Sequence, residues 1–94
     1  MAGYWLVRGG EIRDQAALQE YAEQWGPVAA RFGAEIIAGK GAMEIFEGPD
    51  YPRQLIVRFE SYKKALACYN DPEYQRLKAL VEKAYDRELS ILEG

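Results

Sequence analysis

Between Phe59 and Tyr74 the chain reads FESYKKALACYNDPEY, and this stretch limits the possible folds more than any other. An apolar strand-like run, Leu55 to Phe59, passes directly into helical spacing at Ala65 and Tyr69. The pattern halts at Asn70-Asp71-Pro72 and restarts with Tyr74, Leu77, Leu80, Val81 and Ala84 on one helical face. Ser61 is placed to cap the first helix, and Asp71 with Pro72 at the first helical position starts the next. A strand that runs straight into a helix must return that helix onto the sheet it has just left, so the segment predicts a strand-to-helix crossover.

Upstream, Tyr4-Trp5-Leu6-Val7-Arg8 is aromatic and β-branched and is stopped by Gly9-Gly10, which predicts a first strand. Asp14 is a good helix cap. After it, Leu18, Tyr21, Ala22, Trp25, Val28, Ala29 and Phe32 recur at three- and four-residue spacing. Pro27 removes a backbone donor, so a kink is expected at Gly26-Pro27, and Gly33 is expected to close the helix. Two β-like pieces, Ile36-Ile37 and Met43 to Phe46, flank Gly39-Lys40-Gly41 and read as one long, bent strand. Gly48 to Pro52 then turns the chain into Gln54 to Phe59 as a hairpin, and Leu89 to Leu92 is the last strand. The order β-α-β-β-α-β predicts a single α+β domain over residues 1–94, a split βαβ arrangement with an antiparallel sheet and helices on one side.

Composition removes several classes of function. Ninety-four residues, 49% of them hydrophobic, suit one small core and not a disordered chain. A formal net charge of −3 argues against a nucleic-acid partner. One cysteine, Cys68, allows no internal disulfide and fits a reducing compartment. Apolar runs such as Tyr4 to Val7 are far too short to span a bilayer, and no basic segment leads into an apolar one at the N-terminus. A cytoplasmic protein without membrane contact is expected.

A sheet covered by helices on one side has a second face to satisfy. Alternation groups Tyr4, Leu6, Leu55, Val57, Phe59, Leu89 and Ile91 on one face. It groups Trp5, Val7, Phe46, Ile56 and Leu92 on the other, mixed with Glu44, Arg58 and Ser90. Leaving those apolar side chains wet would forfeit several kcal/mol at about 25 cal/mol per Å². A second copy of the chain, sheet against sheet in a two-fold homodimer, is the simplest cover.

Three pieces of the chain, taken in order, resemble one family. They are Gly3-Tyr4-Trp5 opening the first strand, the glycine-bearing second strand ending at Glu47-Gly48, and Phe59-x-Ser61-x3-Ala65-x3-Tyr69-x2-Pro72-Glu73-Tyr74. With Ile91-x-Glu93-Gly94 at the end, the set is similar to the DUF1330 family. The resemblance implies a ferredoxin-like fold of the dimeric α/β-barrel type, in which two sheets pack face to face. It implies no substrate, because the family is of unknown function. The chain departs from the usual pattern at Arg58, where relatives commonly carry glutamate, at Glu60, where proline is common, and at Cys68, where an aromatic is common.

The absence of histidine removes the commonest general base and the commonest metal ligand together. One cysteine and scattered carboxylates offer no metal-binding spacing, and neither a metal nor another cofactor is expected. Arg58 and Glu44, read as neighbours on adjacent strands, could recognise a carboxylate or polarise a carbonyl. A structural ion pair, within the sheet or across the dimer, is the simpler reading. Trp5, Tyr69 and Tyr74, with Tyr4, Tyr21 and Trp25, could line an apolar pocket, although their spacing chiefly predicts core. Cys68 reads as a buried, inert thiol. Lys63, Lys64, Lys78, Glu82, Lys83 and Arg87 read as solvated helix faces.

Two functions, beside a purely structural assembly role, are compatible with these features. The first is a dimeric module that binds a small aromatic or acidic molecule near the sheet, through Trp5, Glu44, Arg58, Tyr69 and Tyr74. The second is a cofactor-independent enzyme of isomerase, lyase or oxygenase type, which rests on the resemblance alone. Whether the chain is an enzyme stays open at this level. RNA binding through the same topology fails on charge and on the missing aromatic motifs.

Overall fold

The N-terminal aromatic run forms β1 (Gly3–Gly9) in a computed structural model of the chain, which describes residues 1–94. Asp14 then caps α1 (Gln15–Phe32), its carboxylate accepting from the Ala17 N–H at 3.0 Å. The helix continues through Pro27 as one element. It ends at Gly33, whose φ of 64° lets the Ala34 N–H reach back to the Ala29 carbonyl at 2.9 Å. β2 (Glu35–Ala38) and β3 (Arg53–Phe59) follow, separated by a long loop. Ser61 caps α2 (Tyr62–Asn70), and Asp71 caps α3 (Pro72–Ala84), which begins on proline as its fixed φ favours. β4 (Arg87–Glu93) completes the chain.

The sheet runs β2-β3-β1-β4 with every neighbouring pair antiparallel. All three helices pack on one face, where Trp5, Val7, Val57 and Phe59 meet Val28, Ala65, Cys68, Tyr74 and Leu77. This is the expected ferredoxin-like α+β architecture. No helix is long and apolar enough to cross a membrane.

Two expectations about the sheet need correcting. Gly3 pairs with Phe59, and Trp5 lies opposite both Val57 and Ile91. Trp5 and Val7 therefore face the helices, while Tyr4 and Leu6 face outward with Ile56, Arg58, Ser90 and Leu92. Alternation sorts residues within a strand, but only the pairing register decides which parity of β1 joins which parity of β3 and β4. The second correction concerns the bent strand. β2 stops at Ala38, and Met43 to Phe46 is not a strand. Gly39, at a φ of 119°, turns the chain out of the sheet in a conformation closed to other residues. Glu44 and Phe46 consequently lie on an exposed loop and not on the sheet.

That loop is fastened at its far end. Tyr51 donates its hydroxyl to Glu88 Oε2 at 2.9 Å, and the Arg8 guanidinium lies 5.1 Å from its ring centre. A second polar anchor joins the helices. Arg31, in the last turn of α1, pairs with Asp71 at 2.7 Å while Asp71 also accepts the Glu73 N–H at 3.0 Å. The hydrogen bond from Arg31 holds the Asp71 carboxyl below the usual carboxylate range. A depressed carboxyl contributes stability above about pH 4 and loses it as pH falls through its folded value. Asp71→Ala should therefore lower the melting temperature by several degrees at pH 7 and by much less near pH 2. Thermal melts followed by circular dichroism read the difference, and equal deficits at both pH values would contradict the assignment.

Candidate functional site

The inner face of the sheet is not filled along its whole length. Between α1 and the strands lies a cleft of about 330 Å³. Its floor is Trp5, Val7, Leu55 and Val57, and its roof is Tyr21 and Trp25 of α1. The roof follows from the helical period, which puts Leu18, Tyr21, Ala22 and Trp25 on the face turned to the sheet. Trp25 tilts against Trp5 at 5.4 Å between ring centres and stacks parallel to Tyr21 at 6.4 Å.

The end of the cleft is polar. Gly9, the last residue of β1, is flanked by Arg53 on β3 and Arg87 on β4, all on the inner face. A side chain at Gly9 would collide with the edge of the Tyr85 ring. Tyr85 fills the space over the glycine, and the Arg53 guanidinium lies 5.5 Å from the centre of its ring. The buried Nε of Arg53 has no hydrogen-bond partner. Arg87 faces the hydroxyls of Tyr74 and Tyr21. Burial opposes its charge and the neighbouring phenols act the other way, leaving its pKa above the ordinary arginine value.

Tyr21 and Tyr74 share a hydrogen bond of 2.8 Å between hydroxyls. Burial raises both phenol pKa values above the ordinary one, and their mutual contact adds to the rise at Tyr74. Neither is a phenolate at neutral pH. Burial also pushes the Cys68 thiol up to about 12, with Asp71 reinforcing the shift, so it is a packed and unreactive side chain. No three histidine, cysteine or acidic side chains converge as a metal site.

The residues singled out from sequence separate into two groups. Trp5, Tyr69 and Tyr74 come together: Trp5 lies 5.0 Å from Tyr74 and 5.9 Å from Tyr69, and its indole N–H donates to the Ala65 carbonyl at 3.0 Å. Of these, Trp5 reaches the cleft wall, Tyr74 supports it from behind, and Tyr69 packs beside both. Glu44 and Arg58 join neither this group nor each other. Glu44 lies in the exposed loop, and Arg58 points outward from the sheet opposite Tyr4 and Glu35. Neither makes an ion pair, so the expected pair within the sheet does not form.

Arg53 and Arg87 are the polar residues that sequence reading missed. Arg87 does not belong to a solvated helix face, because α3 ends at Ala84 and Arg87 opens β4 on the buried side. A signal was present. Extending the inward parity of Leu55-Val57-Phe59 and Leu89-Ile91 by one step reaches both arginines.

Known proteins share this architecture. A protein of unknown function from Rhodopseudomonas palustris superposes with a TM-score of 0.78 at 19% identity, over 99% of this chain and 82% of its own. A dimeric ferredoxin-like protein of unknown function from Bacteroides fragilis gives 0.60 at 13% identity, over 99% and 96%. SnoaB, a cofactor-independent oxygenase from Streptomyces nogalater, gives 0.61 at 8% identity, over 99% and 92%. No curated protein matches the chain. A family model, the domain of unknown function DUF1330, matches residues 2–94, and the chain belongs to that family.

Proposed function

We propose that this protein is a homodimeric binding module that holds a small aromatic or acidic molecule in the cleft between α1 and the sheet. The observation that carries the reading is the cleft itself. It has the size of a small-molecule site, walls that are mainly aromatic and aliphatic, and polar groups gathered at one end. Trp5 belongs to its wall, with Tyr69 and Tyr74 supporting. Tyr21, the phenol in the cleft wall, is protonated and supplies no base, which favours ligand capture over proton abstraction. The likeness to a cofactor-independent oxygenase keeps an enzymatic reading in view, without a residue here to assign to it. Equilibrium dialysis with naphthol tests the site. Saturable uptake of one molecule per chain is expected, weakened at least about tenfold by Ala22→Phe, which fills the cleft from α1. Uptake unchanged by that substitution would contradict the site.

The dimer is proposed through the outer sheet face. Tyr4, Leu6, Ile56 and Leu92 are direct cross-strand neighbours there, and Leu6 and Leu92 are 39% and 47% exposed. Arg58 borders this stripe without a carboxylate, and Glu44 lies on the loop without a cation, so an ion pair across the dimer would satisfy both. Related structures from Bacteroides fragilis and Thermobifida fusca are described as dimeric. Leu6→Glu should weaken dimerisation at least about a hundredfold, because it places a charge in an apolar contact. Analytical ultracentrifugation reads the shift, and a wild-type protein that sediments as a monomer at micromolar concentration would contradict the interface.

A further inference from the structure

We infer that Arg53 and Arg87 form an anion clamp at the end of the cleft, so that its ligand is a small aromatic carboxylate. This rests on the cleft being the binding site proposed above and goes on to name the chemistry of what fills it.

Arg8, Arg13, Arg31 and Arg76 each pair with a carboxylate, namely Glu88, Asp86, Asp71 and Glu73. Arg53 and Arg87 pair with none, although both project to the half-buried inner face. The acids nearest to Arg87 in sequence are committed elsewhere: Asp86 holds Arg13 at 3.0 Å, and Glu88 holds Arg8 at 3.1 Å on the opposite face of the sheet. Two cations thus share one end of an apolar cleft with no internal counter-charge.

Their placement suits a single anionic group. Both lie across from Gly9, one strand to either side, so their Cα atoms are separated by two strand spacings, about 10 Å. Guanidinium side chains reaching inward from such positions can converge on one carboxylate, each offering a planar fork of donors. Arg53 is also held before any ligand arrives, its guanidinium lying over the Tyr85 ring. The Nε of Arg53 is a donor already removed from water and without a partner, so this guanidinium has no internal acceptor in place. The remaining volume sets the body of the ligand. A dry apolar cavity of about 150 Å³ takes up benzene, so 330 Å³ walled by Trp5, Tyr21 and Trp25 accommodates one or two fused rings with a carboxylate.

Isothermal titration calorimetry with naphthoate and its neutral amide, naphthamide, tests the clamp on the intact protein. Naphthoate should bind at least about tenfold more tightly than naphthamide, and Arg53→Gln should abolish that preference by weakening naphthoate far more than naphthamide. Arg87→Gln should act in the same way; because Arg87 packs against buried tyrosines, Arg53→Gln carries the test by itself if the Arg87 variant does not fold. Equal affinity for acid and amide would overturn the clamp and leave the cleft standing as a site. A preference that survives Arg53→Gln in a folded protein would overturn it too. Failure of both molecules to bind would overturn the cleft and the clamp together.

Discussion

The packing of Trp5 is the constraint on which the rest of this structure depends. Its indole lies on the central strand β1 and touches Phe59 of β3, Trp25 of α1, Tyr69 of α2 and Tyr74 of α3, with ring centres between 5.0 and 5.9 Å apart. Its N–H is satisfied by the Ala65 carbonyl, so the side chain is almost completely buried, 1% exposed, without leaving a polar atom unpaired. Removing a buried aromatic of this size costs about 3–5 kcal/mol, a large fraction of the roughly 5–15 kcal/mol that holds a domain together. The ring that joins two strands and three helices also forms part of the cleft floor. Core and site are therefore one object here, and the cleft inherits the rigidity of the core.

How far this arrangement can be read from the residues depends on the distance over which each feature is decided. Capping by Asp14, Ser61 and Asp71, closure at Gly33 and the proline start of α3 are local, and the sequence shows all of them. The succession of strands and helices along the chain is legible for the same reason, apart from the extent of the second strand. The orientation of β1 is not, because Tyr4-Trp5-Leu6-Val7 is apolar at both parities, and only pairing with Val57 and Ile91 sends Trp5 inward. The loop after β2 misleads in a different way. Met43 to Phe46 has strand-like composition, but Gly39 has already turned the chain away from the sheet, and Phe46 is left 87% exposed. Of the site, the aromatic part is visible as spacing. The arginines are hidden by their positions at strand starts, where a charged residue ordinarily signals solvent.

Charge placement gives the molecule two unequal faces. Most arginines on its surface are matched to a carboxylate, while Arg53 and Arg87 inside and Arg58 outside are not. A desolvated cation without a partner is unfavourable by itself and becomes favourable when an anion arrives. The two inner arginines thus favour an acidic ligand within the chain. The outer one, beside the stripe of Tyr4, Leu6, Ile56 and Leu92, fits a contact between two chains. The raised pKa of the Tyr21 phenol in the cleft is consistent with this division, since it leaves a neutral hydroxyl in place and supplies no base.

A small aromatic acid is expected to lodge between α1 and the inner face of the sheet. Nitrogen–proton correlation spectra of the protein titrated with naphthoate test it most directly, because the two indole N–H groups of Trp5 and Trp25 report on the floor and the roof of the cleft. Saturable shifts of both indoles and of the Arg53 and Arg87 side chains are expected, with the outer-face amides of Leu6 and Ile56 unmoved. Shifts confined to the outer face, or unperturbed indoles at saturating naphthoate, would contradict it.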